Sequence, residues 1–255
     1  MAFVYSPFRA IDADDCVLYS AALCYSEGWV FLQHLYFNFV GNGSALLART
    51  AHVREVGGYD PGLQAGGAQG CEDILLQARL AARYRVGVVP EYLIGYRLGG
   101  GRMSAQRERM FRSRELAEAR LLAEIPDVPA RVRAWSRGAH TLNRSQSLFT
   151  ESGWRAAAGS LLAAVRYDPL GVLDRIAALA PGRLRRLLDS SLPRGFPGTG
   201  RPFLDWRPDE PHSGPLRPIV LRRLAQLAAL DESRGAYVQT GANHERAACD
   251  DISGS

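Results

Sequence analysis

The chain is 255 residues long, 47% hydrophobic and 22% charged. That is enough for one large domain, or a domain with an appendage, with the composition of an ordinary globular protein. No apolar run reaches the roughly 18 residues a membrane-spanning helix needs, and the opening MAFVYSPFRAID lacks the basic-then-apolar order of a signal peptide, so neither is expected. The net charge of +5 rests on arginine alone, because the sequence has no lysine. With heavy Ala, Leu and Gly usage, this reads as compositional bias, and no nucleic-acid partner is expected. Four cysteines, Cys16, Cys24, Cys71 and Cys249, form no CxxC pair. They read as free thiols of a reducing, cytoplasmic compartment.

From residue 1 to 100 the pattern is mixed. FVY and VLYSA read as short strands, and Trp29 to Phe39 as an apolar helix against a sheet. SALLAR (44–49) reads as a buried strand and TAHVREV (50–56) as a short helix capped by Thr50. Residues 57–70 hold six glycines and a proline, and predict a loop. Glu72 to Tyr84 has helical periodicity. VGVVP reads as a strand stopped by Pro90, and YLIGYR as another. This is α/β order.

Beyond Gly101 the pattern turns helical. Residues 104–125 predict a long charged helix, broken by Pro126 and Pro129. Residues 130–149 and 153–167 predict an antiparallel pair turned at ESG, and 170–189 one or two more helices. The stretch WRAAAGSLLAAVRYDP resembles the second helix of a tetratricopeptide-type repeat, in a single copy. From Pro193 a proline-rich segment predicts irregular structure. A short helix, IVLRRLAQLAAL, follows, and the last twenty residues read as disordered. The domain plan is thus 1–115, 116–190 and 191–255. Residues 101–200 carry 17 arginines against 9 acids. Such an excess suits solvated helix faces, or a surface that meets anionic lipid or an acidic substrate.

Among the motifs, FVGNGSALL begins like a dinucleotide-binding turn. Leu46 fills its third small position, however, and Asp60 lies on a turn. The small residues are expected to let a strand pass close to a ligand or another backbone. AIDADD has the DxD spacing that can hold Mg²⁺ or Mn²⁺ on a diphosphate. Only 11 residues precede Asp12, too few for a nucleotide pocket, so a turn is expected. The five histidines show no ligand spacing, and His34, among aromatics, reads as a satisfied core residue. Glu72 and Asp73 open a helix after the glycine-rich loop. Acids there gain about 0.3–1 kcal/mol from the helix dipole, which favours the ionised form. They can equally serve as an acid or base at the floor of a site. The YR pair that follows gives Arg97 the means to meet an anion.

The string GNGSALLARTAHVREVGGYDPGLQ, then CEDILLQARLAARYRVGVVPEYLIGYR and MS, resembles the C-terminal half of the catalytic domain of family 2 glycosyltransferases, inverting enzymes of GT-A fold. It covers residues 1–115. The implied fold is an incomplete GT-A domain, Rossmann-like, followed by an α-helical tail. The implied activity is transfer of a sugar from a nucleotide-diphospho-sugar donor to a hydroxyl of a glycan or lipid-linked acceptor, as in bacterial surface polysaccharide synthesis. Asp73 corresponds to the general base, and Glu72 to a residue orienting acceptor or loop. Gly43 and Ser44, the turn Gly57, Gly58, Tyr59 and Asp60, and the pair Tyr96 and Arg97 correspond to the sugar and acceptor side. The family uses a divalent metal, Mg²⁺ or Mn²⁺, held by a DxD in its N-terminal half. That half is not recognised here, so no metal ligand is assigned and an N-terminally truncated enzyme is expected. The alternative is a non-catalytic helical adaptor lacking donor binding. The expected location is cytoplasmic, with peripheral contact to the inner membrane surface.

Overall fold

The computed structural model describes residues 1–67, 70–99, 107–178, 199–210 and 216–253, with side chains described through 236 and at 238. Its first part holds β1 (Phe3–Tyr5), β2 (Phe8–Ile11), β3 (Val17–Ser20), α1 (Phe31–Tyr36), β4 (Leu46–Ala48), α2 (Thr50–Glu55), α3 (Gly62–Ala65), α4 (Glu72–Arg83), β5 (Val86–Val88) and β6 (Ile94–Arg97). Helices α5 (Arg107–Glu124), α6 (Ala130–Ser152), α7 (Trp154–Tyr167), α8 (Pro169–Ala177) and α9 (Pro218–Ser253) follow. The chain is of α/β class.

Two prolines shape the sheets. Proline has no amide hydrogen and cannot continue a ladder. Pro7 therefore ends β1 and lets β2 start on a new line, and Pro90 separates β5 from β6 in the same way. β1 pairs parallel with β5 and antiparallel with β4. β2 pairs parallel with β6 and antiparallel with β3. The result is two mixed three-stranded sheets, β4-β1-β5 and β3-β2-β6. Ser6 joins the two breaks: its hydroxyl donates to the Glu91 carbonyl at 2.6 Å and accepts from the Leu93 amide at 3.1 Å.

Helix boundaries follow local hydrogen bonding. Thr50 is the first helical residue of α2 and not its cap, because the Arg49 amide still donates to the Ala2 carbonyl at 2.8 Å. Strand pairing thus holds Arg49 extended and delays the helix by one residue. Within the expected loop 57–70, Asp60 accepts from the Gly62 amide at 2.8 Å and starts the single turn α3, anchored by buried Leu63. All six residues of α1 are buried, with the polar Gln33 and His34 hydrogen-bonded to Asp231 and Gln77. The start of the expected helix 104–125 and the stretch 179–189 lie outside the described residues.

The C-terminal part departs most from expectation. Although irregular as expected, apart from the 3-10 turn Phe203–Asp205, residues 199–210 are fastened to β2 by Arg9, which is 1% exposed. Its guanidinium donates to the carbonyls of Arg207 (2.7 Å) and Glu210 (2.6 Å) and lies over the rings of Tyr92, Phe203 and Trp206. The last helix runs to Ser253 instead of stopping near Leu230. Val220, Leu224 and Leu227 of α9 belong to the same core as Phe3, Leu75 and Val132. Asp231 of α9 caps α1, accepting from the amides of Leu32 (2.7 Å) and Gln33 (3.1 Å). A second, small core of Leu142, Ala164 and Val172 holds α6, α7 and α8 together.

One buried ion pair links those helices to α9. Asp168 caps α8 through the Gly171 amide at 3.0 Å, and both its carboxylate oxygens lie 2.6 Å from the Arg223 guanidinium. Each residue is 5% exposed. Burial alone would lower the pKa of Arg223, but its bonds to Asp168 and Tyr36 raise it.

Two outcomes are expected. Arg223→Met strands a buried carboxylate and should cost about 3–5 kcal/mol by urea unfolding, with most of the loss recovered in the Asp168→Asn/Arg223→Met pair. Arg9→Met should release residues 199–210, so that limited chymotrypsin digestion cuts after Phe203 and Trp206 well before it does in the parent chain.

Candidate functional site

The site grows from two backbone turns that meet. Asn42 caps a short 3-10 turn, Gly43–Ala45, its side-chain oxygen accepting from the Ser44 amide at 3.0 Å. Gly41, at φ +84, lies flat on the Phe8 ring, and a Cβ there would fall 2.4 Å from it. Only glycine fits, and the fit seats the turn on the second sheet. On the other side Gly70, at φ +107, brings the chain to the start of α4. The Glu72 carboxylate accepts from the Gly70 amide at 2.7 Å, so Glu72 holds the loop.

Asp73 stands where the turns touch. A Cβ on Gly43 would lie 3.4 Å from the Asp73 Cβ and 3.7 Å from its Oδ2. Gly43 and Ser44 are exposed and Asp73 is half-buried, so the carboxylate adjoins open backbone. Burial pushes the Asp73 pKa up from 3.8 to about 6; the Ile74 amide, at 2.7 Å, and the charge of Arg114 oppose the rise, while Glu72 adds to it. The helix dipole, expected to favour ionisation, is outweighed by desolvation. The group is therefore a stronger base than a free aspartate, yet still mostly ionised at pH 7.

Sequence reasoning missed three residues here. The Nδ2 of Asn42 is buried with no hydrogen-bond partner. Its place between two glycines was the available signal. Arg114 of α5 brings positive charge toward Asp73 while donating to the Leu35 carbonyl at 3.0 Å; nothing set it apart from its arginine-rich neighbours. Gln77, one turn beyond Asp73 on α4, is 3.0 Å from Nε2 of His34. His34 is fully buried, and burial lowers its pKa to about 4, so it is neutral at pH 7. Its Nδ1 lacks a partner, so the expected core histidine is satisfied on one nitrogen only.

The remaining candidates lie elsewhere or serve the framework. Gly57 and Gly58 take φ of +85 and +64 and turn the chain, leaving Tyr59 exposed. Asp60 clamps the loop to α4 and α5, at 2.6 Å from Arg120 and 3.4 Å from Arg79. The Arg120 hydrogen bond holds its carboxyl below the usual range. Tyr96 packs edge-on against Phe8. Arg97 donates to the carbonyls of Asp12 (2.6 Å) and Ala13 (3.1 Å) and pairs with Asp15. The anion it meets is thus the chain's own acidic turn. In that turn Asp12 accepts from the amides of Asp14 and Cys16, a side-chain-stabilised turn. Among the described residues, no group of three or more His, Cys, Asp or Glu side chains is placed to hold a metal. Among the same residues, no helix is long and apolar enough to cross a membrane.

Set beside known proteins, the chain stands apart: no family model, no curated protein and no solved structure matches it.

A carboxylate whose pKa is raised by folding destabilises the fold above its unfolded pKa. The cost is absent below about 3.8, grows as pH rises toward about 6, and is constant beyond that. Asp73→Asn removes it. The variant should be more stable than the parent by about 1–2 kcal/mol at pH 8, after allowance for partial exposure. Urea midpoints should show a smaller gain at roughly pH 4.5.

Proposed function

We propose that this chain carries the acceptor side and the general base of an inverting glycosyltransferase of GT-A type. The observation that carries the reading is the contact between Asp73 and the Gly43-Ser44 turn. The resemblance assigns those two segments to one site, and they are remote in sequence. A carboxylate with its pKa raised to about 6 suits proton abstraction near neutral pH.

In this reading the acceptor hydroxyl lies over the exposed Gly43-Ser44 backbone, within reach of Asp73. Asp73 takes its proton as the oxygen attacks the anomeric carbon of a nucleotide-diphospho-sugar. The bond from that carbon to the diphosphate breaks, the nucleoside diphosphate leaves, and the configuration inverts. Glu72 keeps the loop in place. The divalent cation implied by the resemblance finds no ligand group among the described residues, and no step is assigned to it here. A second reading, a helical adaptor without catalysis, draws on the exposed apolar side chains of α7 and α8.

The test is sugar transfer from a panel of nucleotide sugars to lipid-linked glycan acceptors, by the polypeptide bearing these residues. Asp73→Asn should lower transfer by roughly 10²–10⁴-fold, leave donor binding unchanged, and leave the fold at least as stable. The rate should fall as pH drops through about 6. Retained activity in the variant would remove Asp73 from the mechanism. Residues 1–255 alone should bind the donor weakly, even with Mn²⁺.

A further inference from the structure

Helices α7 and α8 expose far more apolar surface than they bury. α7 buries only Ala157 and Ala164, and α8 only Gly171 and Val172. Facing outward, Trp154 is 66% exposed, Leu162 63%, Leu170 65% and Leu173 61%. At about 100° per residue, Trp154, Leu161, Leu162 and Val165 fall in one stripe roughly 100° wide along α7. Arg155 and Arg166 run along one border of that stripe, and the alanines packed on α6 along the other.

The unpaired charges around this face are of one sign, since Glu151, at the end of α6 before Trp154, pairs with Arg107 at 3.3 Å. α7 contains two arginines and no acid. The two acids at and within α8 are taken up from the far end of the chain: Asp168 by Arg223 of α9, and Asp174 by Arg217 just before it. What remains outward is an apolar stripe, a tryptophan at its end and a guanidinium border. Contiguous apolar surface of this kind marks an interaction site. With Trp and Arg at its margin, it has the composition of a helix lying in a membrane interface. A second copy would bring two arginine-bordered faces together, with the nearby acids Glu151, Asp168 and Asp174 already paired within each chain. An anionic lipid surface offers both an apolar layer and the complementary charge.

We infer that the α7–α8 face docks on the surface of an anionic lipid bilayer, with Trp154, Leu162 and Leu170 entering the headgroup boundary and Arg155 and Arg166 meeting lipid phosphates. This does not rest on the sugar-transfer reading, and its test reads binding alone.

The experiment is flotation of the full chain with vesicles of phosphatidylcholine alone, or with about one third phosphatidylglycerol. The chain should partition onto the anionic vesicles roughly tenfold more strongly than onto the neutral ones. Trp154→Ser/Leu162→Ser/Leu170→Ser and Arg155→Gln/Arg166→Gln should each reduce that binding by about tenfold or more, with unchanged urea midpoints. Failure to float, or variants that float like the parent, would overturn the inference. So would apolar substitutions that convert a dimer to a monomer without altering flotation, since the face would then belong to a second copy.

Discussion

The pair Arg223–Asp168 is the constraint that the helical half depends on. Two charges, each 5% exposed, gain little net stability from their attraction, because desolvation consumes most of it. What the pair enforces is position. Asp168 ends α7, caps α8 and holds Arg223 in two short bonds, while Arg223 lies over the rings of Trp135 and Tyr36 at 4.5 and 5.6 Å. Two glycines exist to admit this carboxylate. A Cβ on Gly138 would lie 2.5 Å from the Asp168 Cβ, and one on Gly171 would lie 2.0 Å from its Oδ2. Separating α6, α8 and α9 without breaking the fold would leave one of these charges buried and unpaired, at a cost of about 3–5 kcal/mol.

Around Asp73 the balance is the reverse. The carboxylate is held where burial disfavours its charge. Nearby, Asn42 Nδ2, His34 Nδ1 and Gln77 Nε2 are buried without partners. Groups in that state cost stability and are few in native structures. These three sit on different elements, the loop before the 3-10 turn, α1 and α4, and other such atoms lie on α5 and α6 at Ser113, Glu118 and His140. By contrast Asp60, with the same side chain and a similarly glycine-rich approach, is fully compensated by Arg120 and Arg79.

How much was legible follows from how local the cause is. The helix α4 and the strands β5 and β6 were visible because periodicity and Pro90 act within a few residues. The hairpin of α6 and α7 was visible because Gly153, at φ +82, turns the chain on the spot. The delayed start of α2 was not, because it depends on Arg49 pairing with Ala2 across the sheet. Residues 199–210 were legible as irregular but their attachment was not, because it comes from Arg9, Val17 and Tyr92, all more than a hundred residues away. The length of α9 was hidden likewise, its burial being provided by partners from the first third of the chain. At the site, Asp73 and Gly43 were legible as motifs, and the motif fragments placed them in one neighbourhood. The direction of the Asp73 pKa was not legible, since the dipole is local and the burial is tertiary. The partners of Arg97 were not legible for the same reason: they are Asp15 and the carbonyls of Asp12 and Ala13, in another strand's turn.

The cap that Asp231 places on α1 spans 199 residues, and the bonds from Arg9 to Glu210 span 201. A ribosome adding about 5–20 residues per second makes these partners roughly 10–40 seconds apart. Throughout that interval α1 lacks the Asp231 acceptor for the amides of Leu32 and Gln33, and both α1 and α4 lack the packing of α9. The contacts that fasten β2 and cap α1 can therefore form only once residues 210 and 231 have been made.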